Sequence, residues 1–121
     1  MSRVLVADDE QFVSDMIAEV LSGHDLAFVK CGEDALKLLQ QSPDGYDLLV
    51  TDWSMKEAAM NGPELILAVR ADSRLERIPI VLHSSHSEPP KELKGVEFTY
   101  VKKEFNTNLA PLLEQVGKIL Q

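Results

Sequence analysis

Short apolar runs alternate with stretches of helical period along this 121-residue chain, and that alternation constrains the fold more than any other feature. The runs lie at residues 3–7, 26–29, 48–51, 80–83 and 98–101 and are rich in β-branched and aromatic side chains. The first of them, short, β-branched and continuous, suits a strand covered on both faces. Between the runs, Phe12, Met16, Ile17, Val20 and Leu21 recur at helical spacing until Gly23 stops them, and Ala35, Leu36 and Leu39 form a second stripe ended by Ser42-Pro43-Asp44-Gly45. Residues 53–61 read as loop. Gly62-Pro63 then opens a third helix carrying Leu65, Ile66 and Val69, with proline tolerated in the first turn. A last helix, capped near Thr107 or Asn108, is predicted to set Leu109, Leu112, Leu113, Val116, Ile119 and Leu120 along one face. Residues 84–95 are polar and contain Pro89-Pro90, so they cannot hold a long regular helix. Strands that alternate with helices must be parallel, because parallel neighbours need a crossover, and the helices then cover both faces of one sheet. No repeat, low-complexity tract or linker interrupts the pattern, so a single domain over residues 1–121 is expected.

Composition narrows the function classes. Apolar residues at 45% and charged residues at 26% exclude wholesale disorder. Twelve Lys and Arg against twenty Asp and Glu give a net charge of −8, a surface that repels phosphate backbones and anionic lipid heads. A nucleic-acid or membrane-surface role is therefore disfavoured. One cysteine, Cys31, cannot build a disulfide framework and fits a reducing compartment. The first apolar run stops at Asp8-Asp9-Glu10, too short for a signal-peptide core, and no run is long enough to span a bilayer. A cytoplasmic location is the expectation.

In an open parallel sheet, ligands sit beyond the carboxyl ends of the strands. Here the first strand ends in Asp8-Asp9, the third in Asp52, the fourth in Ser84-Ser85 and the fifth in Lys102-Lys103. Carboxylates pushed together repel unless a cation joins them. Hard oxygen donors with open positions suit Mg²⁺, and an Asp beside such an ion can attack a phosphoryl group, with a lysine and a hydroxyl steadying the phosphoryl oxygens. Singly, each residue reads more simply as a helix cap, turn residue or solvated charge. Their placement at the ends of four different strands favours a joint role.

The chain resembles the receiver domain of two-component response regulators over residues 3–120. The matching pieces are Val4-Leu5-Val6-Ala7-Asp8-Asp9-Glu10, Asp47-Leu48-Leu49-Val50-Thr51-Asp52-Trp53, Met60-Asn61-Gly62-Pro63-Glu64-Leu65, Ile78-Pro79-Ile80-Val81-Leu82-His83-Ser84-Ser85 and Tyr100-Val101-Lys102-Lys103-Glu104-Phe105. The resemblance implies a flavodoxin-like, doubly wound, five-stranded parallel sheet of order 2-1-3-4-5 with flanking helices. It implies that Asp52 is the phosphoacceptor and that Asp8, Asp9, Asp52 and the backbone carbonyl of Ser54 bind Mg²⁺. Ser84 corresponds to the switch hydroxyl, with Ser85 as its rival, and Lys103 to the phosphate-binding lysine, with Lys102 as its rival. Tyr100 corresponds to the aromatic that turns inward on activation, or is an edge-strand aromatic covering the core. His86 falls near the entry route for water. The implied partners are a sensor histidine kinase or histidine phosphotransfer protein as donor and a downstream protein as target. Catalysis is expected only of the chain's own phosphoryl transfer and dephosphorylation.

Three departures accompany the resemblance. Lys56-Glu57-Ala58-Ala59 makes the loop after Asp52 about two residues longer than is usual in the family. The segment between Ser84 and Lys103 is about three residues shorter, so the family's fourth helix is expected to be short or absent. Glu104 stands where proline commonly follows the lysine, and a cis bond without proline costs about 2.5–4 kcal/mol. Two other functions compete with a phosphorylated stand-alone receiver. One is a binding module of the same fold that acts without phosphate. The other is a Mg²⁺-dependent phosphohydrolase, which would want a second acid where Ser54 stands.

Overall fold

A computed structural model describes residues 2–103 and 109–121. Five strands, β1 (Arg3–Ala7), β2 (Asp25–Val29), β3 (Leu48–Asp52), β4 (Ile80–Ser84) and β5 (Thr99–Lys102), pair in parallel in the order β2-β1-β3-β4-β5. Four helices connect or follow them: α1 (Gln11–Val20), α2 (Gly32–Gln41), α3 (Gly62–Ala71) and α4 (Ala110–Ile119). The doubly wound, flavodoxin-like sheet implied by the sequence is the one observed.

Alternation along the strands builds two cores. Val4 and Val6 of β1, with Val50 and Val81, pack against Ile17 of α1, Leu21 just after it, and Leu112 and Val116 of α4. Leu5 and Ala7 face the other way, with Leu49 and Leu82, onto Ala35 and Leu39 of α2 and Leu65, Ile66 and Val69 of α3. All of these side chains are at most 1% exposed. Each large one contributes about 1.5–3 kcal/mol by leaving water.

Three side chains of the expected apolar stripes, Phe12, Val20 and Leu113, are exposed. Phe12 is 58% exposed, because five residues before the buried Ile17 it is turned about 140° around the helix. Leu113 is 46% exposed, about 100° from the buried Leu112. The expected cap at Thr107 or Asn108 and the Lys103–Glu104 bond lie outside the described residues.

Between β4 and β5 the chain forms only a three-residue 3-10 turn, Lys91–Leu93, in place of the family's fourth helix. Leu93 plugs the core at 2% exposure. The stretch after the turn is secured by Arg70 near the end of α3. Its Nε and Nη2 donate to the Glu97 carbonyl at 3.0 and 2.9 Å, and Nη1 donates to the carbonyls of Glu76 and Ile78 at 2.9 and 2.8 Å. One guanidinium thus satisfies three carbonyls that no helix ladder reaches. Arg70→Ala should lower unfolding free energy by about 1–3 kcal/mol in urea titration, and Arg70→Lys should restore little of it, because an ammonium cannot reproduce the planar fork. Equal stability of Arg70→Ala and wild type would contradict this clamp.

Candidate functional site

The sheet reverses direction of growth between β1 and β3, and the carboxyl ends of those two strands form the crevice where such folds bind ligands. Register fixes what meets there. Ala7 pairs with Thr51, so Asp8 and Asp52 follow at the same level, and Asp52 in turn pairs with His83. Asp52 ends β3 at 7% exposure, and Asp8 is 2% exposed. α3 begins close to Asp52. A Cβ on Gly62 would stand 2.2 Å from the Asp52 carbonyl oxygen, so only glycine allows this approach. The turn into α3 is closed by a capping box in which the Asn61 N–H donates to Glu64 Oε1 at 2.8 Å.

Lys103, just past β5, reaches back across the rim. Its Nζ donates to Asp52 Oδ1 at 3.1 Å and to Asp8 Oδ2 at 3.3 Å. Its backbone N–H donates to the Ser84 carbonyl at 2.6 Å, which extends the β4–β5 pairing by one residue and aims the side chain inward. Lys102, its rival in the sequence, is the β5 partner of Ser84 and is exposed. Ser84 is 1% exposed, whereas Ser85 is exposed. The structure therefore brings Asp8, Asp52, Ser84 and Lys103 together and leaves Lys102 and Ser85 on the outer edge of the same cleft. That cleft has a volume of about 580 Å³ and includes Asp52, Trp53, Ser54, Ser84, His86 and Lys103 in its walls.

The electrostatics follow from burial. Loss of solvent pushes the Asp52 carboxyl up from an ordinary 3.8 to about 6; the Lys103 ammonium opposes that rise and the Asp8 charge adds to it. Burial also raises Asp8, against the Glu10 N–H at 2.9 Å and Lys103. Desolvation alone would lower Lys103, but the charges of Asp52 and Asp8 outweigh it and hold the ammonium above its usual value. His83, buried behind the rim, is pushed down to about 3 by desolvation and by Lys103, and its Nδ1 has no hydrogen-bond partner among the described residues. It is a neutral neighbour of the site.

Asp8, Asp9, Glu10 and Asp52 each offer a carboxylate oxygen within 4.8 Å of the others. Four anionic oxygen donors facing one ammonium form a hard donor set with surplus negative charge, which fits a divalent cation such as Mg²⁺ that keeps several of its waters. Glu10 in this group was not singled out from the sequence, although it directly follows the Asp pair. Two further contacts had no sequence signal. The rings of Trp53 and His86 lie 4.1 Å apart and 33° from parallel beside the cleft. The His86 backbone links the two switch candidates: its N–H donates to Ser84 Oγ at 3.2 Å, and its carbonyl accepts the Tyr100 hydroxyl proton. Tyr100 is half-buried and packs on the core.

The raised Asp52 has a stability consequence of definite sign. An acid whose pKa is higher folded than unfolded holds its proton more tightly when folded, so stability falls as pH rises through the interval between the two values. Here the interval runs from 3.8 to about 6. In metal-free buffer Asp52→Asn should be about 1–3 kcal/mol more stable than wild type at pH 7, and the difference should shrink toward zero below pH 4. Urea unfolding at a series of pH values measures it, and parallel curves for the two proteins would contradict the assignment of strain to Asp52.

No helix among the described residues is long and apolar enough to cross a membrane. Residues 4–112 match the family model of the response regulator receiver domain. The chain is 30% identical to the chemotaxis protein CheY of Pseudomonas aeruginosa over 125 residues, covering 98% of this chain and 96% of that one. It is 34% identical to a CheY homolog of Campylobacter jejuni over 124 residues, covering 98% and 92%. Among solved structures, chemotaxis protein CheY4 of Vibrio cholerae superimposes with a TM-score of 0.82 at 28% identity, covering 98% of both chains. The response regulator TrrA of Thermotoga maritima, solved in complex with Mg²⁺-BeF, also gives 0.82 at 28% identity, covering 98% of this chain and 99% of that one. The strand order, the acid-lined rim and these matches lead to one conclusion: the chain belongs to the response regulator receiver domain family, of the kind represented by CheY.

Proposed function

We propose that Asp52 accepts a phosphoryl group from the phosphohistidine of a sensor histidine kinase or histidine phosphotransfer protein in the cytoplasm, and that the change shifts the chain's affinity for a downstream protein. The observation that carries this reading is the Lys103 ammonium held between two buried carboxylates in an open cleft. A structural ion pair has no need of a second buried acid, which leaves the group with surplus negative charge.

In the transfer, an Asp52 oxygen attacks phosphorus in line with the departing imidazole. The P–O bond forms as the P–N bond breaks, and the electron pair returns to the imidazole ring nitrogen. The Trp53 N–H and Lys103 both donate to Oδ1, at 2.8 and 3.1 Å, which orients the carboxylate and presents Oδ2 as the attacking atom. Lys103 is placed to follow the charge onto the phosphoryl oxygens. Asp8, Asp9, Asp52 and the Ser54 carbonyl would hold Mg²⁺, which when bound supplies positive charge against the carboxylates and the phosphoryl group. Attack of water on phosphorus later returns the Asp52 carboxylate. The acidic surface argues against a nucleic-acid or membrane partner.

The output rests on Ser84. Its hydroxyl oxygen is held by the His86 N–H, and donation of its proton to a phosphoryl oxygen would draw it off that bond. Because the His86 carbonyl also holds the Tyr100 hydroxyl, a shift of residues 84–86 would be felt on β5. This is a two-state element biased by one added dianion. A phosphate-independent binding module is the second reading, favoured by the 3-10 turn that replaces a helix on the side of the fold next to β5.

Incubation with Mg²⁺ and acetyl phosphate or phosphoramidate, read by intact mass, tests the proposal. Wild type should gain one phosphoryl adduct that needs Mg²⁺ and is absent from Asp52→Asn, and Lys103→Ala should form it about 100-fold more slowly. No adduct on wild type, with partner binding unchanged in Asp52→Asn, would instead support the phosphate-independent module.

A further inference from the structure

The lengthened loop between β3 and α3 is gripped at two points. At one, the Lys56 N–H donates to Asp9 Oδ2 at 2.8 Å, a contact between residues 47 positions apart. At the other, Glu33 in the first turn of α2 takes the N–H of Ala59 on Oε2 at 2.9 Å and the N–H of Met60 on Oε1 at 3.1 Å. The Ala59 N–H in particular holds the Glu33 carboxyl below its ordinary pKa. The neighbouring Gly32 N–H donates to the Met60 carbonyl at 2.9 Å, and a Cβ there would stand 2.5 Å from that oxygen, so the loop lies directly on the start of α2.

Between the two grips the backbone is not relaxed. Glu57 has φ of 59°, a left-handed conformation that a non-glycine residue keeps only when its surroundings impose it. The Ala58 N–H closes the turn onto the Met55 carbonyl at 3.3 Å. A strained turn anchored at both ends transmits the position of one anchor to the other. Release of residues 59–60 would let the turn unwind and carry the Lys56 N–H away from Asp9.

We propose that Glu33 is a positioning residue for the metal-binding acids: by holding residues 59–60 it keeps the Lys56 N–H on one oxygen of Asp9 and so orients that carboxylate for a divalent cation. The inference rests on the reading of Asp8, Asp9 and Asp52 as the Mg²⁺ site. It gives the extra loop residues a role, since the lengthened path is what spans from α2 to Asp9. Loss of an outer partner such as the Lys56 N–H typically changes metal affinity by 10–100-fold, so Glu33, one contact further out, should act at the low end of that range.

Calorimetric titration of Mg²⁺ into metal-free wild type, Glu33→Ala, Glu33→Gln and Asp9→Asn tests it, at a temperature where thermal melts show each protein folded. Glu33→Ala should bind Mg²⁺ about tenfold more weakly, and Glu33→Gln should fall between it and wild type, because the amide keeps one acceptor oxygen. The rate of Asp52 phosphorylation by acetyl phosphate should return to the wild-type value in Glu33→Ala at saturating Mg²⁺, which a general loss of stability would not produce. Wild-type affinity in Glu33→Ala with weakened binding in Asp9→Asn would overturn the role of Glu33 and leave the metal site standing. Wild-type affinity in Asp9→Asn as well would remove the metal reading, and Glu33 with it. Should Glu33→Ala not fold, Glu33→Gln against Asp9→Asn decides the matter by the same comparison.

Discussion

One ammonium between two buried carboxylates is the interaction on which the rest of this structure depends. Lys103 sits 3.1 Å from Asp52 and 3.3 Å from Asp8, both nearly hidden from solvent. A single positive charge cannot neutralise two negative ones, and the half-buried Asp9 and exposed Glu10 add to the imbalance. The group is therefore stable enough to fold and still short of positive charge. A buried charge that is incompletely paired is costly in a structural role and useful where a cation or a reacting group completes it.

The sheet exists to hold that arrangement at one rim. β1 and β3 lie side by side where the winding reverses, and their shared register sets Asp8 level with Asp52. β4 and β5 bring Ser84 and Lys103 to the same edge, and the backbone bond from Lys103 to Ser84 locks the two together. Rigid strands position the rim residues, while the segments that depart from the family's usual lengths lie just outside them. The loop after Asp52 leans on α2 through Glu33, and the shortened connection before β5 is held by Arg70 where a helix would otherwise have satisfied its own backbone.

Strand order followed from the resemblance carried by the motifs around Asp8, Asp52 and Lys103, whereas strand existence was legible because short apolar runs alternate with stripes of helical period. The site acids were legible for the same reason: the end of each strand names the residue on the rim. What stayed open were choices between adjacent residues. Lys102 against Lys103 and Ser84 against Ser85 are separated only by which side of a strand each occupies, and one step of register reverses that. The exposure of Phe12, Val20 and Leu113 was missed because apolar spacing alone does not show where a helix stripe ends. Glu33, Arg70 and the Trp53–His86 stack join segments far apart in sequence through single polar or ring contacts. Such contacts leave no periodic trace.

Burial places Asp52 under electrostatic strain, which a bound divalent cation would relieve. Carbon-13 NMR titration of the side-chain carboxyls, with and without saturating Mg²⁺, measures this at the atom concerned. Asp52 should titrate near 6 in metal-free protein and fall below its ordinary 3.8 when Mg²⁺ is present. An Asp52 that titrates at an ordinary value without metal, and does not move when Mg²⁺ is added, would rule out both the strain and its relief.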